Sequence, residues 1–227
     1  MFFFTQVTPF CEGKLRGFET LNTLSSTMMI FWSFYKLNYY SRKVVWGDFF
    51  DIFSILSINC WCSALFHSTL SMGFKFFDEI SMIVPLWLGI LMLLKLNTTS
   101  RKNYICLSYV VHILNLSILV FNSFPHFQWL FPFLFTVELL LIVWYYYKLR
   151  TDGYNDVTFI GIQGILICSF AGIVWWITET FCNSSMLYGH AIWHICMPIG
   201  IDCICQFILL VKNKKYRNSQ LHKFIIV

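Results

Sequence analysis

The chain has 227 residues, of which 58% are hydrophobic, 20% are aromatic and only 12% are charged, and its formal net charge is +5. An ordinary soluble domain is about 45–50% apolar and about 25% charged, so this composition excludes a water-soluble globular domain. The apolar residues are spread along nearly the whole chain, which predicts one integral membrane domain and no nucleic-acid-binding module.

Seven stretches of the chain are apolar, or nearly so, over the roughly 20 residues that a membrane-spanning helix needs. Short polar segments separate them, and the weakest separation, at residues 122–126, depends mainly on Pro125 as a helix breaker. A six-span alternative would merge or discard one of the two helices there. We predict an all-α, polytopic bundle of seven transmembrane helices at residues 19–39, 46–67, 77–96, 104–122, 126–147, 157–180 and 189–211.

The Lys and Arg residues predict the orientation of this bundle. With seven spans, 13 of the 16 basic residues fall on one side of the membrane. Because basic residues are enriched in cytosolic connections, we expect the C-terminus in the cytosol and the N-terminus in a lumen or outside the cell. The chain then divides into a luminal N-terminal segment at 1–18, a transmembrane domain at 19–211 and a basic cytosolic tail at 212–227.

Several ionisable residues lie at the ends of the predicted spans. His67 ends the second span, Asp78 begins the third, and His190 and His194 lie in the first turns of the seventh. In the predicted topology these ends share the luminal side, so residues that are distant in sequence converge on one leaflet. An ionisable residue within a span is costly and therefore a candidate for function.

The pair His190 and His194 has the i, i+4 spacing that places two side chains on one face of a helix. This spacing also arises by chance, and His112, His126 and His222, which have no such pattern, are interpreted as structural or interfacial. With His67 as a third ligand, however, three imidazoles and an open position match a catalytic zinc site. Such a zinc ion lowers the pKa of its bound water to about 7 and so provides a nucleophile.

Two further residues flank His67 in the sequence. Ser63 lies four residues before His67 on the same helical face, where its hydroxyl can hydrogen bond a developing oxyanion; the alternative is a small helix-packing residue. Asp78 can accept a proton near the metal or orient a histidine, and the alternative is a charge favoured at a helix N-terminus. Together with the three histidines, both are predicted as catalytic.

The combination of Ser63 and His67 in an S-x-x-x-H spacing, Asp78 eleven residues later, and H-x-x-x-H in the last span resembles the alkaline ceramidase family. The segments at residues 11–25 and 175–182 are also similar to that family, and the resemblance extends over residues 11–210. These proteins are seven-helix, zinc-dependent membrane amidohydrolases, related to the adiponectin-receptor-like group and to a GPI-lipid remodelling branch.

The resemblance implies a role for each of these side chains. His67, His190 and His194 would bind zinc, Ser63 would assist the oxyanion, and Asp78 would handle the proton. The implied reaction is hydrolysis of the amide bond of a ceramide-type sphingolipid, which releases a sphingoid base and a fatty acid. The implied location is the membrane of the endoplasmic reticulum or the Golgi.

Two of the nine cysteines, Cys11 and Cys182, lie on the luminal side of the predicted topology, in the N-terminal segment and at the end of the sixth span. An oxidising compartment permits a disulfide between them, and the family resemblance supports that pair. The other seven cysteines lie within spans, where a cysteine is usually a small apolar core residue.

One departure from the family concerns calcium, which these ceramidases hold with an N-terminal acidic cluster of the form D-W-C-E-x-N and a later Glu. Here Pro9 replaces the Asp, Lys14 replaces the Asn, and Glu12 and Glu19 remain as remnants of the site. Calcium needs about 6–8 oxygen ligands, which this segment does not offer beside a lysine. We expect Lys14 to pair with Glu12 or Glu19, and activity to be insensitive to calcium chelation.

Other functions compatible with these residues come from different classes. The first is a receptor-like member of the wider group that keeps zinc structurally and signals to a partner, although the short basic tail argues weakly against this. The second is a hydrolase of another lipid, such as a GPI-lipid remodelling enzyme. The third is an inactive homologue, which the complete set of five candidate site residues argues against.

Overall fold

The structure is a computed structural model that describes residues 9–43, 48–97, 100–122, 130–151 and 158–225. The described residues are helical and contain no strand, which agrees with the predicted all-α class. The helices are α1 Cys11–Arg16, α2 Thr20–Lys43, α3 Asp48–Thr69, α4 Met72–Asn97, α5 Arg101–Asn122, α6 Leu130–Thr151, α7 Thr158–Thr180, a 3₁₀ turn at Ser184–Met186, and α8 Gly189–Ile225.

The seven long helices among the described residues, α2 to α8, overlap the seven stretches predicted from the sequence. Four described segments have the length and hydropathy of a membrane span: Ile52–Thr69, Met72–Asn97, Thr158–Thr180 and Ser184–Lys214. The count of seven spans and the orientation of the termini remain predictions. Pro125 and His126 lie outside the described residues, although α5 and α6 on either side of them are separate helices.

Helix α2 contains many polar residues, and they face the interior of the bundle. Asn22, Ser25, Ser26 and Ser33 are all buried, whereas Phe31, on the opposite face, is 73% exposed. In an amphipathic helix of a soluble protein the polar face is exposed, whereas here the apolar face is exposed, as contact with lipid favours. The polar content of α2 therefore reflects a site that the helix lines.

Helices α7 and α8 approach each other closely through small residues. A Cβ atom added at Gly164 would lie 2.7 Å from the carbonyl oxygen of Gly200, so neither position has room for a side chain. Small residues at such crossings let helices in a membrane gain van der Waals contact. The hydrophobic core continues from this contact to α3, α4 and α6, and its fully buried members include Phe53, Ile90 and Phe207.

Helix α8 continues beyond the predicted span. The segment from Lys212 to Ile225, which the sequence analysis assigns to a basic tail, is helical in the structure. No Gly or Pro occurs between residues 201 and 225, and basic residues near a helix C-terminus interact favourably with the helix dipole. The basic tail is thus an extension of the last helix.

The connection between α3 and α4 is only two residues long and brings the end of α3 beside the start of α4. Leu70 has a positive φ of 52°, and its amide donates to the carbonyl of Phe66 at 2.6 Å. A left-handed conformation is costly for a residue other than Gly, and such residues occur where tertiary packing requires them. This tight turn places His67 and Asp78 at the same end of the bundle.

Candidate metal centre

Three histidines meet where the end of α3 faces the start of α8. Ligand nitrogens of His67, His190 and His194 all lie within 4.8 Å of one another, and the centroids of the three rings are 4.7 to 4.9 Å apart. Nε2 of His67 is 3.2 Å from Nε2 of His194. The predicted convergence of the three imidazoles is therefore present in the structure.

The Nδ1 atom of each histidine faces a polar partner on the opposite side of its ring. Nδ1 of His67 contacts the carboxylate of Glu19, and Nδ1 of His190 lies 3.3 Å from Oε1 of Glu179. A histidine that binds a metal commonly donates its other N–H to a carboxylate, which sets the tautomer and the ring orientation. These contacts leave the Nε2 atoms directed towards the centre of the cluster.

His194 is oriented by two serine hydroxyls and a backbone carbonyl. Its Nδ1 lies 3.0 Å from Oγ of Ser25, 2.9 Å from Oγ of Ser26 and 3.2 Å from the carbonyl oxygen of Asn22. Both hydroxyls donate to that carbonyl, so they present lone pairs to the imidazole. These oxygen neighbours suit the tautomer in which Nδ1 of His194 carries the proton and Nε2 is an acceptor.

The donor set fits a transition-metal cation. The carboxylate and serine oxygens beside the three Nδ1 atoms leave the other nitrogen lone pair of each ring for a cation, and ligand nitrogens of the three rings lie within 4.8 Å of one another. Lone pairs at such separations repel each other unless a cation lies among them. Three neutral imidazoles suit zinc, which takes nitrogen ligands and keeps one position open in catalytic sites.

The two residues predicted as catalytic lie beside the histidines. Oγ of Ser63 is 3.5 Å from Nε2 of His194 and 3.1 Å from Oγ of Ser26. Oδ1 of Asp78 accepts a hydrogen bond of 3.0 Å from Nδ2 of Asn59, and Asp78 also interacts with the Ser63 hydroxyl. The structure thus brings Ser63 and Asp78 together with all three histidines.

Sequence reasoning missed three groups that complete this site. Glu179 and the hydroxyls of Ser25 and Ser26 orient histidines. The side-chain amide of Asn59 donates to both the backbone carbonyl and the carboxylate of Asp78. For Asn59 a signal was available, because it lies four residues before Ser63 and so shares its helical face. For the others no local spacing relates them to the histidines.

Glu12 and Glu19 have roles different from those of calcium ligands. Oε1 and Oε2 of Glu12 accept from the backbone amides of Leu21 and Asn22 at 2.8 and 3.0 Å, so this carboxylate caps the start of α2. Glu19 accepts from the amide of Phe10 at 2.6 Å through Oε1, and its Oε2 contacts His67. The carboxylate oxygens thus face N–H donors rather than a cavity for a cation.

The expected ion pair of Lys14 with Glu12 or Glu19 is wrong. Lys14 is exposed, and the ion pair that Glu12 makes in the described part of the chain is with Arg16, at 4.0 Å. Oδ1 of Asn22 is buried without a hydrogen-bond partner, but one amide oxygen is far short of the 6–8 ligands of calcium. These residues do not fit a calcium ion.

Cys11 and Cys182 lie at disulfide distance, with sulfur atoms 2.18 Å apart and Cα atoms 5.3 Å apart. The amide of Cys11 also donates to Oε2 of Glu179 at 2.9 Å. The same carboxylate contacts His190 through its other oxygen. The cysteine pair that the resemblance implies therefore tethers α1 to the end of α7, next to a carboxylate that orients a candidate metal ligand.

A cavity of about 750 Å³ opens beside the histidines, large enough for part of a lipid. His190, His194 and Asp78 line one part of it, and aromatic and aliphatic side chains form most of the remaining wall. The apolar lining residues come from α4, α6, α7 and α8 and include Met82, Phe131, Phe135, Leu139, Ile173 and Trp193.

The comparison with known protein families agrees with this arrangement. A sequence model of the family described as Ceramidase matches residues 16–226, which is nearly the whole chain. No individually curated protein matches the sequence. The matched region contains every residue of the histidine cluster, both candidate catalytic residues and all of the cavity lining except Phe10. The predicted resemblance is confirmed, and the chain belongs to the ceramidase family.

Proposed function

We propose that this protein hydrolyses the amide bond of ceramide-type sphingolipids, with a zinc ion held by His67, His190 and His194. The observation that carries the proposal is the convergence of ligand nitrogens from three histidines at the wall of an apolar cavity, in a chain of the ceramidase family. A sphingoid base and a fatty acid are the products. The resemblance further favours the endoplasmic reticulum or the Golgi as its location.

The zinc ion would act as a Lewis acid on the amide carbonyl and lower the pKa of water at the site. The protein's part is to hold three neutral imidazoles with their Nε2 atoms aligned. Glu19, Glu179 and the Ser26 hydroxyl perform this by engaging the three Nδ1 atoms. Preorganised groups of this kind lower a barrier because they need no rearrangement during the reaction.

Asp78 is positioned to move a proton. Its carboxylate lines the cavity and is held by Asn59, so it can accept a proton from the attacking water. The water oxygen forms a bond to the carbonyl carbon, and Asp78 then gives the proton to the departing nitrogen as the C–N bond breaks. The Ser63 hydroxyl, beside His194, donates a hydrogen bond to the carbonyl oxygen as negative charge develops there.

Elemental analysis of the purified protein tests the metal assignment. We expect one zinc per chain in the wild type and loss of that zinc in His190→Ala, because two imidazoles rarely retain a catalytic zinc. His112→Ala is the matched control, since His112 packs against Trp87 away from the cluster. A zinc content that is unchanged in His190→Ala would overturn the assignment.

Hydrolysis of a fluorescent short-chain ceramide tests the reaction itself. We expect turnover by the wild type and by His112→Ala, and a loss of at least about 100-fold in His194→Ala and Asp78→Asn, in line with losses on removing groups that act on the transition state. Absence of turnover with a full complement of zinc would favour the receptor-like alternative instead.

A further inference from the structure

Two charged residues that the proposed mechanism does not use line the same cavity. Lys75 and Glu79 lie in the first two turns of α4, and Nζ of Lys75 is 3.5 Å from Oε1 of Glu79. Both side chains are 13% exposed, so the pair is largely enclosed. We refer to Lys75 and Glu79 as the rim pair.

The rim pair lies on the same face of α4 as the candidate proton carrier. Lys75, Asp78, Glu79 and Met82 follow each other at spacings of three or four residues, and all four line the cavity. With a rise of about 1.5 Å per residue, Lys75 lies about 4.5 Å closer than Asp78 to the start of the helix. The cavity therefore changes along α4 from charged at the helix start to apolar at Met82.

The rim pair has hydrogen-bonding capacity beyond the contact between its two members, because an ammonium has three N–H donors and a carboxylate has about four lone-pair sites. An optimal ion pair of this type has an N–O distance of about 2.7–2.9 Å. Lys36 and Asp202, elsewhere in the bundle, lie 2.7 Å apart, whereas the atoms of the rim pair are 3.5 Å apart. An ammonium and a carboxylate at this distance present a donor and an acceptor together, and a hydroxyl group needs both.

We propose that the rim pair binds the primary hydroxyl of the substrate's amino-alcohol part and so selects lipids whose headgroup is a free hydroxyl. This inference rests on the proposed function for the class of lipid. The hydroxyl donates a hydrogen bond to the Glu79 carboxylate, and Lys75 donates one to the hydroxyl oxygen, while the hydrocarbon chain lies among the apolar walls. A lipid has one polar end, and the rim pair with Asp78 forms the charged end of the cavity.

The test uses binding as well as turnover. Two analogues in which a methylene group replaces the amide nitrogen, one with the primary hydroxyl and one without it, are titrated into the purified full-length protein by thermal shift. We expect about tenfold tighter binding of the hydroxylated analogue, as for hydrogen bonds to charged groups. The preference should fall below about threefold in Glu79→Leu and in Lys75→Met/Glu79→Leu, and persist in Lys14→Met.

Turnover of ceramide and of 1-deoxyceramide is measured in parallel, and the preference should lie in KM. Equal affinity of the wild type for the two analogues, or a tenfold preference retained in a folded Glu79→Leu variant, overturns the inference even if ceramide is hydrolysed. A preference that is present and lost in the variants supports the inference even if no lipid is hydrolysed, in which case only the proposed function fails.

Discussion

The histidine cluster depends on residues that do not face the metal position. Glu19 and Glu179 each engage one Nδ1 atom, and each also accepts a backbone amide, from Phe10 and Cys11 respectively. These carboxylates therefore connect the N-terminal segment to the imidazoles. We therefore expect substitution of either carboxylate to lower the metal affinity of the site while the protein stays folded.

We predict that Glu19→Gln and Glu179→Gln each weaken zinc binding by about 10–100-fold, because an amide orients and polarises an imidazole less well than a carboxylate does. Competition with a chromogenic chelator measures this affinity. Lys14→Gln serves as the control, since Lys14 is exposed on the same segment. An affinity of Glu19→Gln within about twofold of the wild type would show that other groups orient His67.

At the residue scale, the histidines, Ser63 and Asp78 were identifiable from spacing and from their positions at span ends. The assignment of Glu19 was different, because its sequence position indicated a calcium remnant whereas its carboxylate contacts His67. The spacing between Glu19 and His67 carries no periodicity, since Glu19 directly precedes α2 and His67 lies in α3, 48 residues apart. Only the packing of α2 against α3 brings them together.

At the scale of helices, the start of α8 is held tightly against the end of α7. A Cβ atom added at Gly189 would overlap the side chain of Thr178, which is buried. Gly189 directly precedes His190, and Thr178 directly precedes Glu179. This contact therefore sets the distance between a candidate metal ligand and the carboxylate that orients it.

We predict that Gly189→Ala lowers stability by about 1–3 kcal/mol, as overpacking does, and also weakens zinc binding because His190 shifts away from Glu179. Gly89→Ala is a matched control within α4, where an added Cβ atom meets no heavy atom within 4 Å. That variant should be neutral or slightly stabilised, since Ala has the higher helix propensity. Thermal unfolding of both variants, with zinc titration, measures the difference.

Equal unfolding temperatures for the two glycine variants would contradict the close packing of α7 and α8 at this point. An unfolding temperature that falls without a change in zinc affinity would separate the packing role of Gly189 from any effect on His190.

At the scale of the whole molecule, the described part of the bundle has large apolar side chains on its outer surface. Five large side chains are each more than 60% exposed and lie on different helices or on different turns of one helix: Phe31, Tyr109, Leu140, Phe159 and Leu166. Patches of this kind are unfavourable in water and suit contact with lipid. The described outer surface is therefore rich in apolar groups, while the polar groups of the candidate site lie inside the bundle.

We predict that the two termini lie on opposite sides of the membrane, with the C-terminus in the cytosol, because seven spans place 13 of the 16 basic residues on that side. Epitope tags at each terminus, probed in cells whose plasma membrane alone is permeabilised, measure this. The C-terminal tag should be accessible and the N-terminal tag protected. Accessibility of both tags would require an even number of spans.

The sequence by itself determined the helical class, the approximate positions of the long helices and the choice of the five candidate site residues that the structure brings together. These features depend on local composition and on spacing within one helix, which a single stretch of chain carries. The same locality explains why the helical continuation of α8 into the basic tail was not predicted: polar residues that continue a helix differ little in composition from a polar tail.

The tertiary structure alone decided which groups orient the three imidazoles, how Glu12 and Glu19 are used, and where the cavity lies. The contacts of His194 with Ser25 and Ser26 join residues 169 and 168 positions apart, and the amide of Cys11 meets Glu179 across 168 positions. Such contacts follow from how helices cross and which faces they bury. Helix crossing depends on the summed packing of many side chains, so no local pattern specifies it.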